Sequence, residues 1–369
     1  MISKRLANIQ KSIIRQIFDS ASPNAINLGL GEIQFETPNA IRLKAKQVIN
    51  QGEIFYTPNA GLLELREKVA EYYDRGSQLP THFYHVCICN GAQEAIFAIL
   101  FSLIDPGDEL LIADPTFVSY QTIAEMLGAK VKTFPLSAAN GFAFDINSFR
   151  ASISKNTKAV FLNHPSNPSG KAFSKEDIED IITICKEHNT LLIVDEVYKD
   201  LYLHEQIQSF WGKYENTIII SGLSKSFCMT GWRLGWIVAK EDLLQKFIIA
   251  HQYISTCAST ISQKSAIEAF TPKGISSLIQ LRKRLRKNYK IATDYLKLHL
   301  NYQPDSAPYI MIKVKEDDIK FCKDLAHRGV IVIPGSAFGE QSKGYIRINY
   351  ALNERKLRMG LKILAAALN

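Results

Sequence analysis

The chain has 369 residues, 46% hydrophobic and 22% charged, with a formal net charge of +8. That composition excludes a disordered chain and suits one large domain with a smaller companion. The basic residues are dispersed, which argues against a nucleic-acid partner, and no apolar run approaches the roughly 20 residues of a membrane span.

The chain opens on an amphipathic pattern, Leu6, Ile9, Ile13 and Ile17, and not on an apolar signal core. From about residue 40 to 265, short apolar runs alternate with helical patterns. Strands are expected at 85–90, 109–113, 130–134, 159–163, 191–195, 217–221 and 235–238. Helices are expected between most of them, at 93–103, 116–126 and 175–187. This alternation predicts an α/β fold whose mostly parallel, seven-stranded sheet lies between helices. After about residue 270 a long helix is expected at 276–300, then strands at 309–314, 330–333 and 344–349 and a closing helix at 353–368. The division reads as a 1–40 segment joining a small α+β domain at 271–369, with a large domain at 41–270. The basic run Arg282-Lys-Arg-Leu-Arg-Lys287 reads as a solvated helix face beside the apolar stripe of Leu278, Leu281 and Leu285.

Six cysteines, at 87, 89, 185, 228, 257 and 322, form no C-x-x-C pair. Free thiols in a reducing, cytoplasmic compartment are expected, without a zinc site. His164 and His251 lack partners at ligand spacing and read as hydrogen-bonded or solvated side chains.

Five stretches carry chemistry. In Asn90-Gly-Ala-Gln-Glu94 a strand turns into a helix, whose first N–H groups and dipole suit an anion. Taken alone this could be a plain connection. Asn163-His-Pro-Ser-Asn-Pro-Ser-Gly170 is a proline-stiffened loop at a strand's C-terminal end, where open α/β sheets bind ligands. Asn167 there can donate from its amide. In Leu191-Leu-Ile-Val-Asp-Glu-Val-Tyr198, Asp195 ends an apolar strand, and its burial is costly without a cationic partner. A protonated pyridine nitrogen would be such a partner. A metal-binding carboxylate of the Walker B kind would need a Gly-Lys-Ser/Thr loop, which is missing, and Gly29-x-Gly31 lacks the third glycine of a nicotinamide fingerprint.

The fourth stretch, Ser221-Gly-Leu-Ser-Lys-Ser-Phe-Cys-Met-Thr-Gly-Trp-Arg-Leu-Gly-Trp236, holds Lys225 and Arg233 between two apolar strands. Burial lowers the pKa of a lysine, and a neutral amine forms a Schiff base with an aldehyde. An arginine suits a phosphate. An amine for an aldehyde beside a cation for a phosphate is what pyridoxal 5'-phosphate requires. The fifth, Gly344-Tyr-Ile-Arg-Ile-Asn-Tyr350, sets Arg347 on the strand face opposite Ile346 and Ile348, as a candidate clamp for a carboxylate.

In this order, and with Asn27-Leu-Gly-Leu-Gly31, Tyr56-Thr-Pro-Asn-Ala-Gly61 and Leu65-Arg66-Glu67 ahead of them, these pieces resemble the class I/II pyridoxal-phosphate aminotransferases of the aspartate aminotransferase fold. The resemblance implies that Lys225 carries the cofactor and moves the proton, that Asp195 pairs with the pyridine nitrogen, and that Asn167 and Tyr198 bond the ring's 3′ oxygen. It implies that Phe117 stacks on the ring and that Gly91, Ala92, Gln93, Ser224 and Arg233 surround the phosphate. It further implies that Tyr56 reaches the phosphate of a neighbouring subunit, hence a homodimer with shared sites. Gly31, Asn167 and Arg347 are implied at the substrate carboxylate. Cis bonds are implied before Pro115 and Pro168, and Tyr120, Phe338 and residues 1–35 as walls of the side-chain pocket. The expected reaction is transamination between an L-amino acid, aromatic or broadly neutral, and 2-oxoglutarate or pyruvate. Gln93 stands where some aspartate-specific relatives have a lysine. A carbon–sulfur β-lyase or a cyclising enzyme is the alternative on the same machinery. A DNA-binding regulator is set aside because Lys225 is retained.

Overall fold

The computed structural model describes residues 3–6, 9 and 12–369. The seven expected strands form one sheet: β1 Val86–Cys89, β2 Glu109–Asp114, β3 Lys130–Pro135, β4 Thr157–Asn163, β5 Leu191–Asp195, β6 Thr217–Gly222 and β7 Gly235–Val238. Their order is β1-β7-β6-β5-β4-β2-β3, parallel except for β7, which runs against both its neighbours. Residues of β1, β6 and β7 are buried throughout because helices cover both faces, which is why these runs are apolar without alternation. Asn163 of β4 and Asp195 of β5 are register partners, so the two motif-bearing loops leave the sheet side by side.

Local chemistry fixes the helix ends. Ser174 caps the Lys175–Glu187 helix with a capping box through Asp177. The Pro272–Leu296 helix starts on a proline, with the Thr271 side chain accepting from Gly274 N–H. It begins four residues before the expected start, because that cap and proline open the first turn ahead of the apolar stripe. The Val118–Met126 helix begins two residues late, after the extended Phe117 (φ −69°, ψ 124°); Thr116 N–H bonds Phe338 O at 2.9 Å. The single strand expected at 330–333 is two: Val330–Ile331 pairs with Ile26–Asn27, and Ile333–Pro334 with Ile346 and Arg347.

Ile17, Leu28 and Ile33 share one buried cluster with the C-terminal elements, including Leu285, Ile312, Ile348 and Leu361. The N-terminal segment therefore packs on the C-terminal third. Of its amphipathic pattern, Ile13 and Ile17 lie on the Ile13–Ser20 helix; residues 1, 2, 7, 8, 10 and 11 are outside the described residues.

Two local expectations are corrected. The second cis bond joins His164 to Pro165, not Asn167 to Pro168; the first, Asp114–Pro115, is as expected. The chain reverses at His164, whose N–H bonds Asp195 O, and Asn167 N–H turns back onto Asn163 Oδ1 at 2.6 Å. The basic run is only partly a solvated face. Arg282 Nε donates to Asp200 O at 2.6 Å and Arg286 Nε to Leu203 O at 2.7 Å, because the helix packs along the 199–203 turn. No helix among the described residues is long and apolar enough to cross a membrane.

Candidate active site

A cavity of about 400 Å³ opens where β4, β5 and β6 end against the start of the Ala92–Leu103 helix. Ala92, Gln93, Phe117, Asn167, Asp195, Tyr198, Ser224, Lys225, Arg233, Gly31 and Arg347 all line it. Eleven residues separated by more than 300 positions in the chain thus converge. Gly91 lies directly behind Arg233. Tyr56 does not reach this cavity; it is 86% exposed.

Lys225 sits on the short Leu223–Ser226 turn after β6, with Leu223 buried in the core beneath it. Its Nζ donates to Gly31 O at 2.6 Å and lies 5.7 Å from the Tyr198 ring centre. Burial pushes the ammonium down to about 8, against the upward pull of Asp195. Asp195 is buried; Tyr120 O–H donates to Oδ2 at 2.7 Å and Val197 N–H to Oδ1 at 3.1 Å. Burial still raises its carboxyl to about 6. No ion pair is present on this carboxylate among the described residues.

Arg233 adopts a left-handed backbone, φ 54°, and among the described residues donates only to carbonyls: Thr230 O at 3.0 Å and Asn90 O at 3.4 Å. Gly91 beside it has φ 85° and ψ 163°. A Cβ there would fall 2.6 Å from the Arg233 Nη2. Gly91 offers no side-chain cap, so the first N–H groups of the helix, at Ala92 and Gln93, remain free to take an anion. A cation without a carboxylate partner and a glycine cradle at a helix N-terminus fit a phosphate.

Across the cavity Arg347 is only 3% exposed, which overturns any reading of it as a surface side chain. Nη1 donates to Asn167 Oδ1 at 2.5 Å and Nη2 to Gly29 O at 2.6 Å, while Nε has no partner. The guanidinium lies 4.4 Å from the Tyr309 ring centre and 4.6 Å from that of Phe338. With its Oδ1 taken by Arg347, Asn167 keeps Nδ2 as its donor.

Sequence reasoning missed three groups. Tyr120 lines the cavity as expected, but its service to Asp195 was not foreseen: it is fully buried, stacked on Phe161 at 4.1 Å, and donates to that carboxylate. Tyr309 bonds the Tyr198 hydroxyl at 2.7 Å, and its own hydroxyl would be 2.7 Å from a Cβ at Gly31. His251 does have ligand-type neighbours: its Nδ1 bonds Glu94 Oε1 at 2.6 Å, and donor atoms of Cys89, Glu94 and His251 lie within 4.8 Å of one another. The spacings 89, 94 and 251 do not announce this, since helix Glu241–Ser255 meets the Ala92–Leu103 helix only in three dimensions.

The arrangement matches the family described as aminotransferase class I and II over residues 23–364. The chain belongs to the class I and II aminotransferases. A probable aspartate aminotransferase of Methanocaldococcus jannaschii is 35% identical over 99% of both chains. An aromatic-amino-acid aminotransferase of Thermococcus litoralis is 32% identical over 96% of this chain and 95% of its own. Aspartate aminotransferase of Thermus thermophilus with maleate superposes with a TM-score of 0.94 at 27% identity, covering both chains completely. The expected aspartate aminotransferase fold is therefore the observed one, and this aminotransferase runs transamination between an amino acid and a 2-oxo acid. Neither relative is named for elimination or cyclisation.

Proposed function

We propose that this aminotransferase binds pyridoxal 5'-phosphate at Lys225 and prefers an aromatic or broadly neutral L-amino acid, with 2-oxoglutarate or pyruvate as acceptor. The observation that carries the reading is the Lys225 amine, buried and lowered to about 8, between the unpaired Arg233 and the buried Asp195. When bound, the cofactor supplies an aldehyde for amine capture and a ring that accepts the electron pair released at the substrate Cα.

The chain's own groups do the rest. Arg233, Ser224, Gly91 and the N–H groups of Ala92 and Gln93 hold the phosphate. Asp195 holds a proton on the ring nitrogen, and Tyr120 aims its carboxylate. Phe117 covers the ring, and Asn167 Nδ2 and Tyr198 O–H bond the 3′ oxygen. Lys225, free and neutral, would take the Cα proton of the substrate as general base and hold it for return. Arg347 clamps the substrate carboxylate beside Gly31, with its buried Nε ready to bond it.

Two features support a donor without a second carboxylate. Among the described residues lining the cavity, the cations are Lys225, Arg233 and Arg347, all with roles in the core reaction. The remaining wall includes Ile14, Leu30 and Phe338. The aspartate aminotransferases among the relatives make a dicarboxylate donor the second reading. A panel of aromatic, aliphatic and dicarboxylic donors against 2-oxoglutarate and pyruvate tests this; the highest kcat/KM falling on aspartate would reject the preference.

The homodimer with shared sites is part of the same proposal. Tyr56 is 86% exposed beside Phe55 at 76%, apolar surface that a second copy would cover. Monomeric sedimentation at micromolar concentration would refute it. The six thiols are all free, which supports the cytoplasmic setting. The 1–40 segment and residues 271–369 are proposed to act as one small domain over the large one.

A further inference from the structure

We propose that His251 holds Glu94 away from the phosphate-binding N–H groups and thereby sets the affinity for the phosphate of the cofactor. The inference rests on the phosphate site proposed above. Glu94 is the third residue of the Ala92–Leu103 helix, in the same first turn as the groups that take the anion. A carboxylate near a helix N-terminus is drawn to the same free N–H groups as a phosphate. Here both its oxygens are directed elsewhere. Oε2 accepts from Asn90 N–H at 2.6 Å, and Oε1 from His251 Nδ1 at 2.6 Å. The carboxylate accepts, so Nδ1 carries the proton.

The network continues behind the cradle. Ser255 Oγ lies 3.3 Å from His251 Nδ1, and Asn90 Nδ2 donates to Ser255 Oγ at 3.0 Å and to Cys257 O at 3.3 Å. Asn90 O in turn receives Arg233 Nη2. His251 is fully buried, and its Nε2 has no partner among the described residues. An imidazole buried with one nitrogen unsatisfied costs stability, so its polar function lies on the Nδ1 side, at Glu94. A metal reading of Cys89, Glu94 and His251 fares worse. The Glu94 oxygens are already occupied, and the hydrogen bond with Cys87, together with burial, pushes the Cys89 thiol well up, away from the thiolate a metal needs.

The test titrates cofactor-free enzyme with pyridoxal phosphate and with pyridoxal, which lacks the phosphate. His251→Leu is expected to weaken pyridoxal phosphate about tenfold, the scale of one charge-assisted hydrogen bond, and to leave pyridoxal affinity unchanged. Adding Glu94→Gln to that variant should restore most of the loss, because a neutral amide no longer competes with the anion. His251→Asn, whose amide can stand in for Nδ1, should keep near-normal affinity and covers the case in which the leucine variant does not fold. Equal loss for both ligands, no loss with either variant, or failure of Glu94→Gln to rescue would overturn the proposal. So would stoichiometric zinc in the wild type that His251→Leu abolishes. Wild-type protein that discriminates no phosphate at all would instead overturn the phosphate site and this inference with it.

Discussion

Tyr120 O–H donates to Asp195 Oδ2 at 2.7 Å while its ring stacks on Phe161, so a residue of the Val118–Met126 helix aims the carboxylate that ends β5. The bond also draws the Asp195 carboxyl downward against the burial that raises it. Tyr120→Phe keeps the stacking and removes only the bond. We expect kcat to fall about tenfold, the worth of one such bond in the transition state, with cofactor affinity within about twofold. Steady-state kinetics beside a cofactor titration measures both; unchanged kcat would deny Tyr120 that role.

Asp195 makes the cofactor-free protein pH-sensitive. Its folded value, about 6, lies above the ordinary 3.8, so between these the folded state keeps a proton that the unfolded chain has released. The contribution to stability is present below the lower value and is lost as pH rises through the upper one. Asp195→Asn carries no such loss. In urea at pH 8 the cofactor-free variant should be more stable than wild type by on the order of 2 kcal/mol, with the gap closing near pH 4, while transamination is abolished. A variant less stable at pH 8 would contradict this.

Lys225 gives a second pH signature. Only the neutral amine captures an aldehyde, and burial brings it from 10.5 to about 8. Borohydride trapping of pyridoxal phosphate on the cofactor-free enzyme should therefore rise with pH to a midpoint near that lower value. A midpoint at the ordinary lysine value would mean that the amine is solvated. Lys225→Ala should lose both trapping and turnover.

Arg347 holds Asn167 and Gly29 O while packed between Tyr309 and Phe338. Arg347→Ala should raise the KM for amino acid about a hundredfold, as expected on losing a bidentate charge-assisted pair, and change cofactor affinity only a few-fold through Asn167. Comparable losses of both would remove Arg347 from the substrate clamp.

Gly91→Ala tests the cradle. Gly91 lies at φ 85° and ψ 163°, a region nearly closed to other residues, and the new Cβ would sit 2.6 Å from Arg233 Nη2. A penalty of about 1–3 kcal/mol should appear as weaker pyridoxal phosphate binding, with pyridoxal much less affected. Isothermal titration of the two ligands separates these outcomes.

Much of this architecture was legible in the chain itself. All seven strands of the large sheet were readable, because strands covered on both faces are continuous apolar runs such as Thr217–Gly222. That Lys225, Asp195 and Arg233 belong to one site was readable too, since a charged residue closing or joining such runs must have a partner or a task. The extent of the Pro272–Leu296 helix was less so, as its start depends on one threonine cap.

What the sequence by itself determined is the order of elements, the reactive groups and the end of the sheet at which they gather. These follow from local periodicity and from the intrinsic chemistry of side chains. The tertiary structure alone decided which side chains support the functional ones: Tyr120 on Asp195, Tyr309 beneath Arg347 and on Tyr198, His251 behind Glu94. It also decided that Arg347 is buried and that the cis bond falls at Pro165. Hydrogen bonds and packing between residues 38 to 157 positions apart leave no periodic trace in a sequence, because their partners meet only when the elements fold onto one another.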